Sequence, residues 1–129
     1  MEKLHQDFGD IAEFRLVYIR EAHPIDSRRP APYAEEKGIS AATTFGERCA
    51  VALDLLDDKN LSIPTIVDDM DNSVNEAYSA FPDRIFVVDV DGEIAFAADR
   101  GPWGYAPAIE DVRKWLAERK SAATESITD

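Results

Sequence analysis

The chain has 129 residues, 45% of them hydrophobic and 31% charged, the balance of a soluble globular protein long enough to bury a core. Lys and Arg total 14 against 26 Asp and Glu, and the net charge of -12 argues against nucleic acid and anionic membrane surfaces. One cysteine, Cys49, and two histidines, His5 and His23, rule out an internal disulfide and leave no zinc-ligand spacing. No apolar run approaches the ~20 residues of a membrane span, and no signal peptide precedes the first charges, so a cytoplasmic chain is expected.

Residues 2–9 read as the back half of a helix, with Leu4 and Phe8 one turn apart. Phe14 to Ile19 is a predicted strand. A long connection follows from Arg20 to Ala42, broken by Pro24, Pro30, Pro32 and Gly38, and loops of that length often carry function. Thr44 to Glu47 has the pattern of a capping box opening a helix to about Asp58, with Phe45, Cys49, Ala52 and Leu56 as its inward stripe. Ile63 to Val67 is a short strand, and a second capping box at Ser73 to Glu76 opens a short helix through Tyr78. Ile85 to Val90 and Glu93 to Ala97 form a hairpin around a two-residue Asp91-Gly92 turn. The last helix starts near Pro107 with Ile109, Val112 and Leu116 facing in, and a polar tail follows from Ser121. The expected organisation is one domain over 1–120 and a flexible tail over 121–129. An α/β chain that ends in a hairpin and then a helix points to a thioredoxin-like fold.

Each chemically suggestive cluster has a functional and a structural reading. Tyr18 to Pro24 leaves a strand and enters the long loop, where α/β proteins bind ligands. Within it, Glu21 stands two residues before His23, and a carboxylate near an imidazole orients it and suits it to proton donation. The alternative is a solvated surface pair. Cys49 is a nucleophile candidate by being the only thiol, but its place on the apolar stripe, well inside the helix, predicts a buried, inert one. Asp68 to Asn72 could hold a hard cation, yet it lacks calcium-loop spacing, and capping of the following helix accounts for the same acids. No metal site is therefore expected. Arg84, just before the hairpin, is an anion-binding candidate or a surface cation. Trp103, in Gly101 to Tyr105, either walls a pocket, meets a partner or covers the end of the sheet.

Taken together, four stretches resemble the iodothyronine deiodinase family: Val17 to Pro24, Glu47 to Ala50, Val67 to Asn72 and Gly101 to Tyr105. The resemblance runs from the first helix to about Leu116. It implies a thioredoxin-like selenoenzyme that removes iodine reductively from an aromatic ring, using a selenocysteine or cysteine followed by two prolines. By the same resemblance, Glu21 and His23 are the acid and imidazole that protonate or position substrate, Tyr18 sits in the same motif and Arg84 faces substrate. Trp103, read above as a candidate pocket wall, completes the expected substrate-binding set. The family's second active-site histidine has no counterpart, since Ile39 to Thr44 holds none. The resemblance also places the nucleophile and the central strand before Met1. The fold is thus expected to be incomplete at the N-terminus, as in a gene whose UGA selenocysteine codon is read as a stop. The expected activity is deiodinase-like reductive dehalogenation, with a small-molecule substrate, an external thiol reductant, no cofactor and a homodimeric state. The alternatives are a peroxiredoxin-like thiol peroxidase and an inactive thioredoxin-like module that binds a partner through Trp103.

Overall fold

A computed structural model describes residues 1–128, with side chains through residue 125. Its elements run α1 (Glu2–Phe8), β1 (Leu16–Tyr18), α2 (Pro32–Lys37), α3 (Phe45–Asp58), β2 (Thr65–Val67), α4 (Ser73–Tyr78), β3 (Phe86–Val88), β4 (Ile94–Ala97) and α5 (Pro102–Thr128). The chain is thus mixed α/β, with its strands in two two-stranded sheets. It divides into two compact units, one of residues 15–82 and the other of residues 1–14 with the chain from 83 onward.

In the unit of residues 15–82, β1 and β2 pair in parallel, Leu16 against Thr65 and Tyr18 against Val67. Parallel neighbours need a crossover, and α2 and α3 supply it. The helix α2 lies inside the stretch the sequence predicts as one long loop. Pro32 opens it at a position that needs no amide donor, and Gly38 closes it at φ 68, the left-handed conformation glycine adopts without strain. Thr44 caps α3 as predicted, its hydroxyl accepting from the Glu47 amide at 3.1 Å. The Glu47 carboxylate reaches back one residue further than a capping box requires, accepting from the Thr43 amide at 2.7 Å and the Thr43 hydroxyl at 2.9 Å.

The buried face of α3 is rotated from the predicted stripe. Phe45 is 49% exposed, Cys49 is only half-buried, and Arg48 and Ala52 are the buried pair. An arginine at an inward position defeats a reading by hydropathy, because its burial depends on acceptors elsewhere in the chain. The start of α4 differs as well. Ser73 is not its cap but its first residue. The first-turn amides of α4 are met by two aspartates that precede it, Asp68 and Asp69.

In the other unit, Leu4 and Phe8 of α1 pack with Ile85, Ala98, Ala108, Val112 and Leu116. Arg113 donates to Asp7 at 2.9 Å and ties α5 to α1. The hairpin β3–β4 forms as predicted, with a different turn. The Gly92 amide donates to the Asp89 carbonyl, and the Asp89 amide donates to the Glu93 carbonyl, so three residues rather than two make the connection. Gly92 takes φ 84, as a three-residue hairpin with a left-handed final residue requires. Pairing then slips between Val87 and Val88, opposite Phe96 and Ile94, which leaves Ala95 as the extra residue.

Helix α5 begins at Pro102 and carries Pro107 inside it, earlier than the predicted start near Pro107. Gly104 is required by packing: a Cβ there would lie 2.0 Å from the Asp99 carbonyl oxygen. Val112 and Leu116 face inward as predicted. Helix α5 also continues over 121–128, where the sequence suggests a tail. Among the described residues, no helix is long and apolar enough to cross a membrane.

Candidate active site and family membership

Because β1 and β2 are parallel, their carboxyl ends lie at the same edge, and the loops that leave them gather there. The Asp68 amide donates to the Tyr18 carbonyl at 2.9 Å and extends the pairing by one step. At this edge Asp68 is 2% exposed. Its Oδ1 accepts from the Asp69 and Val74 amides at 3.0 Å each, and its Oδ2 accepts from the Asn75 amide at 2.9 Å. Asp69 accepts from the Ser73 amide at 3.0 Å and from its hydroxyl at 2.7 Å. Those two bonds hold the Asp69 carboxyl below its ordinary pKa, with a smaller contribution from the Arg48 charge. The acids of this loop are therefore helix caps, the second of the two readings open at the sequence level.

Arg48 reaches the same loop from α3. It is 5% exposed, and its Nη1 donates to the carbonyls of Asp68 at 3.1 Å and Asp69 at 2.6 Å. A guanidinium suits the task, since its fixed fork can hold two acceptors at once. Beside this clamp lies a cavity of about 270 Å³, walled by Tyr18, Arg20, Glu21, Arg48, Met70 and Asn72 among others. The Arg20 guanidinium lies 3.8 Å from the centre of the Phe81 ring. Burial pushes the Glu21 carboxyl above its ordinary pKa, because a half-desolvated site disfavours the charged form. A larger cavity of about 420 Å³ in this unit is walled by Tyr33, Glu47, Asp54 and Asp58, and contains none of the residues predicted for the site.

Of the predicted site residues, Tyr18 and Glu21 share the smaller cavity. His23 is exposed and is not among its walls. No hydrogen bond or ion pair joins Glu21 to His23, so the expected orienting contact is not formed. The loop is instead held by backbone, with the Ala31 amide donating to the His23 carbonyl at 3.0 Å and Pro24 buried.

Arg84 and Trp103 lie in the other unit. Arg84 donates from Nε to the Ala98 carbonyl at 2.6 Å and lies 4.7 Å from the centre of the Phe86 ring. Trp103 is 91% exposed. The residue that the sequence reading did not nominate for the site is Arg48, although it lies in the Glu47 to Ala50 stretch that carries the family resemblance.

Residues 1–120 match the family described as iodothyronine deiodinase. The chain is 33% identical over 132 residues to thyroxine 5-deiodinase of Sparus aurata, covering 98% of this chain and 45% of the relative. It is 35% identical over 121 residues to type II iodothyronine deiodinase of Neoceratodus forsteri, covering 90% and 43%. It is 34% identical over 124 residues to the human type II enzyme, covering 92% and 44%. The chain thus spans less than half the length of these relatives. With a match over residues 1–120 and relatives at about a third identity, this chain belongs to the iodothyronine deiodinase family.

Proposed function

We propose that this chain is part of a thioredoxin-like reductase that removes halogen from an aromatic ring, with its selenol or thiol nucleophile on a segment outside these 129 residues. The observation that carries this reading is the family match over 1–120 together with the cavity at the β1 and β2 ends, where Tyr18 and Glu21 meet. Cys49 sits half-buried inside α3, a poor place for a nucleophile. A parallel pair joined by a helical crossover, and an antiparallel hairpin followed by a helix, support the thioredoxin-like assignment.

Reductive dehalogenation replaces a ring carbon–iodine bond with a carbon–hydrogen bond. The carbon keeps the bonding electron pair and takes a proton, while the nucleophile is oxidised as it accepts the iodine. Two external thiols then restore the nucleophile, and iodide and a disulfide leave. Glu21 is assigned to proton delivery from the cavity wall, where burial raises its pKa. His23, exposed on the next turn of the loop, holds the incoming substrate from the solvent side. Tyr18 lines the floor of that cavity. Arg84 and Trp103 are each proposed to contact substrate, as the family resemblance implies.

The test is a deiodination assay, with a thiol as reductant, on the protein extended to include the nucleophile segment. Activity is expected, with Glu21→Gln reducing it by about 100-fold, the size of a lost general acid. Full activity in Glu21→Gln refutes the proton-donor role. Peroxide consumption without deiodination would move the assignment to a thiol peroxidase.

A further inference from the structure

Three polar atoms on residues that wall the smaller cavity have no hydrogen-bond partner and are shielded from water: the Tyr18 hydroxyl, Arg48 Nε and Asn72 Oδ1. Buried polar groups are almost always paired, and three orphans around one cavity mark a place built for something else to pair with. Arg48 Nε and the Tyr18 hydroxyl are donors, and one of them belongs to a charged guanidinium. Those two donors select an oxygen that carries negative charge, while Asn72 Oδ1, an acceptor, takes no part in holding it.

The charge of the wall agrees with this. Two basic residues, Arg20 and Arg48, and one acid, Glu21, line this wall, and the Asp69 carboxyl on the adjoining loop also feels the Arg48 charge. The larger cavity has the opposite balance, Lys37 against Glu47, Asp54 and Asp58. With acids in and beside the wall, a monoanion is better suited than a dianion such as phosphate. The rest of the wall is Ser40 with the apolar Ala41, Ala42, Val51 and Met70, which suits an organic body. At about 270 Å³ the space lies at the small end of ligand pockets.

We propose that this cavity binds a small organic monocarboxylate, held by Arg48 Nε and the Tyr18 hydroxyl with its body against Ala42, Val51 and Met70. Met70 is unbranched and can adapt its shape to the ligand body. The proposal assigns a ligand class to the cavity read above as the active site and rests on that reading for its role, while binding to the 129-residue chain is measured apart from any dehalogenation.

The experiment is an NMR titration of the labelled 129-residue chain with benzoate, using benzyl alcohol and inorganic phosphate as comparison probes. Benzoate is expected to shift the Arg48 Nε–H signal and the Met70 and Asn72 amides saturably, and the comparison probes are not. Arg48→Lys keeps a donor for the Asp68 and Asp69 carbonyls while removing Nε–H. Tyr18→Phe removes a hydroxyl that has no partner, so its fold is retained. Each is expected to weaken benzoate binding by about tenfold, the worth of one charge-assisted hydrogen bond. Should Arg48→Lys unfold, Tyr18→Phe decides. Absence of saturable shifts with benzoate overturns the proposal. Equal binding of benzyl alcohol reduces the cavity to an apolar hole, and equal binding of phosphate makes it a general anion site. Unchanged binding in both Tyr18→Phe and a folded Arg48→Lys, or in Tyr18→Phe where Arg48→Lys unfolds, overturns the assigned pair of donors.

Discussion

Asp68 gives the sharpest test of how this fold is held. Its carboxylate accepts from the Asp69, Val74 and Asn75 amides, at 3.0, 3.0 and 2.9 Å. Asp68→Ala strands all three donors. Water recovers part of the loss at Asp69 and Val74, but Asn75 is buried. At about 1–3 kcal/mol for each unsatisfied buried group, the net cost is about 3–5 kcal/mol. Asp68→Asn separates geometry from charge. Its oxygen can still accept from Asp69 and Val74, while its NH2 group faces the Asn75 N–H, donor against donor. That substitution loses one charge-assisted bond, about 1.5–3 kcal/mol. Urea unfolding measures both values, and amide exchange at Val74 and Asn75 should accelerate in the same order. A loss below about 1 kcal/mol in Asp68→Ala, or equal losses in the two variants, would refute the capping argument.

Other expectations follow from single contacts. Gly104→Ala places a methyl 2.0 Å from the Asp99 carbonyl and should cost about 3 kcal/mol or more, whereas Gly46→Ala in the first turn of α3 meets only a Thr44 hydroxyl at 3.9 Å and should gain about 0.5–1 kcal/mol; thermal unfolding of the two variants checks the contrast. The Tyr33 hydroxyl donates to Asp58 at 2.8 Å, and its pKa is pushed up to about 12. Because the folded value lies above the unfolded 10.0, the stabilisation is complete below pH 10 and is lost as pH rises toward 12, a loss that Tyr33→Phe should abolish in alkaline unfolding curves. Glu21 has a folded pKa raised above 4.5, so it favours the folded state most below that pH and least at neutrality. Glu21→Gln should therefore unfold at a higher temperature than the parent at pH 7 and lose that advantage at pH 3. Asp7, lowered chiefly by its bond to Arg113, has the opposite sign: its contribution is present above pH 3.8 and lost on acidification, and Asp7→Asn should flatten the acid side of the stability profile.

The elements that depend on local chemistry were legible from residue order. Thr44 ahead of Glu47 opens α3, Leu4 and Phe8 mark the inner face of α1, and Val112 with Leu116 marks that of α5. Each of these depends on neighbours within a turn or two, which a linear pattern records. The departures have local as well as long-range causes. Helix α2 was hidden because three prolines and a glycine read as loop, although two of those residues, Pro32 and Gly38, are its first residue and its cap.

The candidate site divides the same way. Tyr18 and Glu21 could be nominated from the end of a strand, and the structure places both on one cavity. Glu21 and His23 are two residues apart in sequence but share no bond, because the Ala31 amide fixes the His23 backbone and leaves the imidazole exposed. Arg48 was invisible as a site residue, since its acceptors are carbonyls 20 and 21 residues away and carbonyls carry no signature in a sequence. By itself the sequence determined the family and the helix and strand types, because motif spacing and capping are local properties. Only the tertiary structure decided which face of α3 is buried, what Asp68 and Asp69 hold, and which side chains share the cavity. Those outcomes depend on partners brought together across the crossover from β1 to β2, where one buried charge outweighs a stripe of hydrophobic residues.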